Sequence, residues 1–122
     1  MWKDNEKIIE IYNKLNEDNI KFPCGCPNCK SESAHIYIHK HNDKNCGVWV
    51  WCSECGAFAH MSSYAPSWWK NPDFIDVKEL CAEPKYLELR ATDIDKWVNT
   101  IIPNQFVYDN AKVVNVTISK EK

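Results

Sequence analysis

Ala34-His35-Ile36-Tyr37-Ile38-His39 and Gly47-Val48-Trp49-Val50-Trp51, preceded by Cys26-Pro27-Asn28-Cys29 and followed by Cys52-Ser53-Glu54-Cys55, are the stretch on which the fold turns. Successive side chains of an extended chain point to opposite faces. Ile36 and Ile38 therefore fall on one side with His35, Tyr37 and His39 on the other, and Val48 and Val50 oppose Trp49 and Trp51. The polar run Lys40 to Asn45 is expected to turn an antiparallel hairpin, and a third short strand is expected over Ala57 to Met61, after Gly56. Two or three such strands are marginal in water without a metal or packing partners.

Each Cys-x-x-Cys turn offers two thiolates, and two turns supply the four soft ligands of a tetrahedral site. Cys26, Cys29, Cys52 and Cys55 are thus expected to hold one structural Zn²⁺ per chain. Pro27 removes no needed donor, because the N–H groups that reach the first sulfur of a knuckle come from two and three positions further on. Gly56, just after the second pair, permits a left-handed conformation there, and Lys30 holds the corresponding place after the first. On these residues the segment from Pro23 to about His60 resembles the zinc-ribbon family, whose four-cysteine site is made by two knuckles at the ends of a β-hairpin. The expected ribbon core is residues 22–62, and chain length suits one compact domain of residues 1–122.

Other chemistries fit less well. A thioredoxin-type dithiol needs its Cys-x-x-Cys after a strand and at the start of a helix, whereas this pattern is strand, turn, strand. A zinc deaminase needs a His-x-Glu that the chain lacks. Cys24 offers a competing ligand, and His60 a possible replacement for one cysteine. His35, His39 and His41 share parity along one strand, which suits an exposed polar face or a shared ion. Cys46 and Cys81 are expected to be small buried apolar groups, with no acid or base at a recognisable spacing. The three glycines, 25, 47 and 56, form no phosphate-binding loop.

The flanks read as helices and a returning strand. Residues 4–17 carry Ile8, Ile11, Tyr12 and Leu15 at helical spacing behind Asp4 as a cap. Asn71-Pro72-Asp73 predicts a helix running to about Cys81. Thr92, with Asp95 three residues on, predicts another that carries Ile94, Trp97, Val98 and Ile101 and stops before Pro103; whether residues 85–90 join it is open. Strand character returns at Phe106 to Tyr108 and Val113 to Ile118. The expected fold class is α+β: an N-terminal helix, a zinc ribbon, a helical segment and a C-terminal strand extending the sheet.

Hydrophobic residues make up 44% of the 122 and include six Trp, enough for a core. The N-terminus has no apolar leader and no stretch reaches the ~18 apolar residues of a membrane span, so a cytoplasmic protein with reduced thiols is expected. Fifteen basic residues against 17 acidic ones leave a net charge of -2. Nucleic-acid binders need a basic surplus. Here residues 21–70 hold five Lys against Glu32, Asp43 and Glu54, an excess that only offsets a tetrathiolate ion.

A metal with all four positions filled by sulfur leaves no place for water or substrate, so no catalytic residues and no enzyme activity are expected. The leading expectation is a protein-binding module. Trp49, Trp51, Trp68 and Trp69 are either cover for the ribbon or a binding face, and the acids from Asp73 to Asp95, with Asp73, Asp76 and Glu79 foremost, suit a basic partner. One concrete form is a bacterial immunity or inhibitor protein that masks a basic toxin or nuclease. The competing expectation is a nucleic-acid-binding ribbon using His35, Tyr37, His39, Lys40, Lys44 and the tryptophans. Oligomeric state is open at this level.

Overall fold

The structure, a computed structural model, describes residues 2–42 and 44–103. The tail strands expected at 106–108 and 113–118 lie outside the described residues. The core of the fold is a four-stranded mixed sheet in the order β1-β4-β3-β2, formed by β1 (Lys3–Asp4), β2 (Ala34–Asn42), β3 (Asn45–Cys52) and β4 (Ala57–Ser63). With its helices, the class is α+β, as expected. β2, β3 and β4 form an antiparallel meander, and β1 adds in parallel beside β4, with Lys3 N–H donating to Gly56 C=O and Asn5 N–H to Phe58 C=O. A parallel N-terminal strand carries no pattern in two residues, and none was expected.

The hairpin is longer than its alternation suggested. Pairing continues to Asn42↔Asn45, with a register irregularity between Lys40 and Asn42, so most of the polar run is strand and not turn. The expected parity holds across the sheet. One face carries Ile36, Val50 and Ala59 in one row and Ile38, Val48 and Met61 in the next. The opposite face carries His35, Trp51 and Phe58, then Tyr37, Trp49 and His60, then His39, Gly47 and Ser62.

Each face has its own cover. The N-terminal helical segment is a short α-helix, α1 (Glu10–Asn13), between 3₁₀ turns at Glu6–Ile9 and Lys14–Asn16. Its cap is Asn5, whose side chain accepts from Lys7 N–H, because Asp4 is occupied in β1. Ile8, Ile11 and Leu15 are buried, and the Tyr12 hydroxyl accepts from Ser63 on the isoleucine-valine face at 3.2 Å. The other face lies under residues 68–101, which contain α2 (Lys85–Leu89) and α3 (Ala91–Ile101). Trp49 Nε1 donates to Cys81 C=O at 2.7 Å, Trp51 Nε1 to Glu88 at 2.8 Å, and Asp95 of α3 meets His35.

The helix expected from Asp73 to about Cys81 is only a 3₁₀ turn, Val77–Glu79, capped by Asp76. Asn71 cannot serve as its cap, since its amide accepts from Lys40 N–H and donates to Lys40 C=O, both at 2.9 Å, closing that part of the β2 edge. Nor does Thr92 cap α3, which starts one residue earlier at Ala91, after a break at Arg90 that separates it from α2. No helix among the described residues is long and apolar enough to cross a membrane.

Candidate metal centre

The two knuckles have the same local construction. After the first, Lys30 N–H donates to Cys26 C=O at 2.9 Å; after the second, Gly56 N–H donates to Cys52 C=O at 3.0 Å. Both residues take the left-handed conformation, at φ 73° for Lys30 and 77° for Gly56. A lysine therefore accepts the strain that glycine escapes, at a cost of roughly 1–2 kcal/mol. Backbone amides turn inward at each site: Asn28 and Cys29 donate to Cys26 Sγ at 3.3 and 3.4 Å, and Glu54 donates to Cys52 Sγ at 3.4 Å.

β2 and β3 bring the two turns together, because Ala34 and Cys52 are register partners at the end of the hairpin. The sulfurs of Cys26, Cys29, Cys52 and Cys55 all lie within 4.8 Å of one another. Cys26 Sγ stands 3.8 Å from Cys55 Sγ, and Cys29 Sγ 3.7 Å from Cys52 Sγ. A tetrahedron with metal–sulfur bonds of about 2.3 Å has edges of about 3.8 Å, so the spacing fits an S₄ ion such as zinc. Ser31 Oγ sits 3.1 Å from Cys29 Sγ and 3.6 Å from Cys52 Sγ, and Asn28 Nδ2 donates to Cys55 Sγ at 3.4 Å. Such contacts orient and stabilise thiolate ligands.

The thiols differ in proton affinity. Ser31 hydrogen bonding holds Cys29 down to about 6, while burial pushes Cys52 up to about 12 and also raises Cys26. Metal binding must drive the proton off the buried pair, whereas Cys29 is predisposed to charge.

Cys24 lies outside the cluster. It is buried, its backbone pairs with Ala34 as a bridge at the β2 edge, and burial pushes its thiol up to about 11. His60 is also elsewhere, stacked on Trp49 with ring centroids 4.4 Å apart. Cys46 is buried as expected; Cys81, expected to be buried, is exposed, its thiol donating to Glu83 C=O.

The histidine strand is not the exposed polar face that its alternation suggested. His35 and Tyr37 are 5% and 0% exposed, because α3 and Trp69 cover them. Tyr37 and His39 form a hydrogen bond at 2.8 Å, and His41 is exposed. The ring nitrogens of His35 are taken by other groups. Nδ1 lies 2.9 and 3.0 Å from the Asp95 carboxylate oxygens, and Nε2 lies 2.7 Å from Ser53 Oγ. Ser53 Oγ in turn stands 2.7 Å from Glu88 Oε1, which also accepts from Trp51. Nothing in the chain order announces this cluster; the one hint was the shared parity of His35 and Trp51 across the hairpin.

Of the tryptophans weighed as a binding face, Trp49, Trp51 and Trp69 are core, at 4%, 0% and 1% exposed. Trp51 meets Glu88 of α2, Trp49 lies against His60 and the Cys81 carbonyl, and Trp69 packs edge-on against Tyr37. Trp68 stays half-buried beside Trp69. Asp73 and Asp76 are exposed, and Glu79 is half-buried against Arg90 at 3.6 Å.

No known protein family, curated protein or solved structure matches this chain.

Proposed function

We propose that the chain is a protein-binding module whose four-cysteine centre is a zinc-ribbon type staple that takes no part in chemistry. The observation that carries this reading is the close tetrahedral spacing of four sulfurs, supported by inward-turned amides, which leaves an ion no coordination position for water. The ion's role is then to hold two chain segments together.

The partner-facing surface under this reading is the exposed acidic stretch with Asp73 and Asp76, together with the half-buried Trp68. Exposed carboxylates suit a basic protein and steer its approach, although Lys70 and Lys78 stand beside them. An inhibitor that masks a basic toxin or nuclease is the concrete form proposed. Burial of Tyr37 and Trp49 removes two rings from any nucleic-acid-stacking surface, which makes the nucleic-acid reading the weaker one.

The test has two parts. Elemental analysis of the purified chain is expected to give one zinc per chain. Affinity capture in the native host, followed by binding titrations of the recovered partner, is expected to show loss of affinity for Trp68→Ala combined with Asp73→Asn and Asp76→Asn. A partner that binds the triple variant unchanged, or salt-dependent binding of single-stranded oligonucleotides instead, would overturn the reading.

A further inference from the structure

α3 has an inner and an outer face. Ala91, Ile94 and Val98 are buried, whereas Asp93, Lys96, Trp97 and Thr100 follow the i, i+3, i+4, i+7 spacing of one stripe on the outer side. Trp97 Nε1 donates to Lys70 C=O at 2.8 Å, which ties the chain leading to Phe74 against this stripe. Phe74, Asp93, Lys96, Trp97 and Thr100 together line an open groove of about 350 Å³. We propose that this groove receives an arginine side chain of a basic protein partner, with the two rings stacking on its guanidinium and Asp93 pairing with it. The inference rests on the protein-binding reading and names what the partner presents.

The groups that would hold an arginine are uncommitted. The ion pairs among the described residues are His35 with Asp95 and Arg90 with Glu79, so the exposed Asp93 has no cation of its own protein at ion-pair distance. The cation–π contact among the described residues is Lys85 over Tyr86, which leaves the faces of Phe74 and Trp97 without one. Lys96 lines the groove yet closes neither contact. The other polar hydrogens are spent: Trp97 donates to Lys70 C=O, and the Thr100 hydroxyl donates to Lys96 C=O at 2.7 Å. An anionic ligand would therefore find Lys96 alone as a donor, opposite a carboxylate.

Size and contact chemistry select the occupant. The volume is near the lower end of the ~300–1,000 Å³ range of ligand sites, which suits one long side chain. A guanidinium is planar and weakly hydrated, so it lies flat on an aromatic face while pairing side-on with a carboxylate. A lysine ammonium is a compact, strongly hydrated charge and gains less from the same walls. Asp73 adjoins Phe74, so the groove continues into the exposed carboxylates of the partner-facing stretch. The chain's net charge of -2 favours a cationic approach. Lys96 opposes it at the groove itself, which makes removal of that lysine informative.

The test uses the full chain, nitrogen-labelled, titrated with acetyl-Gly-Arg-Gly-amide. The readout is the Trp97 indole N–H signal, identified by its loss in Trp97→Phe. Saturable movement of this signal is expected, with half-saturation on the order of millimolar, as for a single exposed side chain. The matching lysine peptide, of equal charge, is expected to bind at least about 3-fold more weakly, and the citrulline peptide, equal in shape but neutral, more weakly still. Asp93→Asn and Phe74→Leu are each expected to weaken arginine binding about 3-fold or more, and Lys96→Gln to strengthen it about 2-fold. A dispersed amide spectrum reports the folding of each variant, and Phe74→Leu keeps the apolar volume if Asp93→Asn does not fold. No saturable movement, equal binding of the arginine and citrulline or lysine peptides, or undiminished binding in the folded variants would overturn the groove. A recovered protein partner is expected to lose affinity in Phe74→Leu and Asp93→Asn as well. If it loses affinity only in the variant of Trp68, Asp73 and Asp76, the groove proposal fails and the protein-binding reading stands; if it loses affinity in neither set, both fail.

Discussion

At the scale of single residues, four sulfurs and their immediate donors make up the candidate metal centre. Cys24 is close in sequence to the first knuckle but is spent on the β2 edge, so Cys24→Ala is expected to keep one ion per chain and Cys26→Ala to lose it, as read by elemental analysis. Ser31 is the residue that distinguishes Cys29 from its partners, holding its thiol down to about 6. A depressed thiol keeps its negative charge above that value and surrenders it as the pH falls through it, so zinc retention is expected to decline in the same direction. Ser31→Ala should raise the midpoint of acid-induced zinc release, monitored with a chromophoric chelator; an unchanged midpoint would mean that the hydroxyl does not tune the site. Lys30 carries the left-handed strain that Gly56 avoids at the equivalent place. Lys30→Gly is expected to stabilise the protein by up to about 1 kcal/mol, the relieved strain being partly cancelled by the freer unfolded chain. Urea denaturation would show it.

At the scale of elements, the helix signal at residues 71–81 failed because an asparagine had a better use. A capping side chain satisfies one orphan N–H, whereas Asn71 satisfies both polar groups of Lys40 at the edge of β2. Asn99 of α3 does the same for Phe22, accepting from its N–H at 2.9 Å and donating to its C=O at 2.7 Å. These two amides fasten the C-terminal half to the sheet and to the chain leading into the first knuckle. Asn99→Ala leaves the backbone of the buried Phe22 unpaired and is expected to cost about 1–3 kcal/mol, measured as a lowered urea midpoint. Within the sheet, Gly47 is required for a different reason. A Cβ there would stand 2.8 Å from the Trp49 ring, which folds across this position. Gly47→Ala is thus expected to destabilise by about 1–3 kcal/mol in the same assay through overpacking.

On the scale of the whole molecule, a sheet with an independent cover on each face is pinned at one end by the cysteine centre. The N-terminal segment buries Ile8, Ile11 and Leu15, the C-terminal helices bury Leu87, Ile94 and Val98, and the sheet between them carries buried side chains on both faces. Domains of this size have net stabilities of only about 5–15 kcal/mol, while structural zinc supplies roughly 10–16 kcal/mol in small modules at neutral pH. Stripping the ion is therefore expected to unfold the protein cooperatively and not merely loosen the knuckles. Emission from the buried Trp49, Trp51 and Trp69 should shift to the red on addition of a strong zinc chelator and recover on adding zinc. A chelated protein with unchanged emission and unchanged far-UV signal would show that the two apolar covers suffice alone.

The sequence by itself determined which cysteines pair in each turn, the strand parity and the α+β class, because all three are local. Cysteine spacing fixes which sulfurs share a turn, and the two-residue period of extended chain fixes which side chains share a face. Only the tertiary structure decided which of the two faces would be buried, and it buried both. The alternation His35, Tyr37, His39 reads as a solvated face until α3, 60 residues away in the chain, places Asp95 against His35 and turns a polar stripe into a closed hydrogen-bonded cluster. Burial of a polar group is tolerable only where its partners are present, and those partners come from elements whose docking no local pattern records.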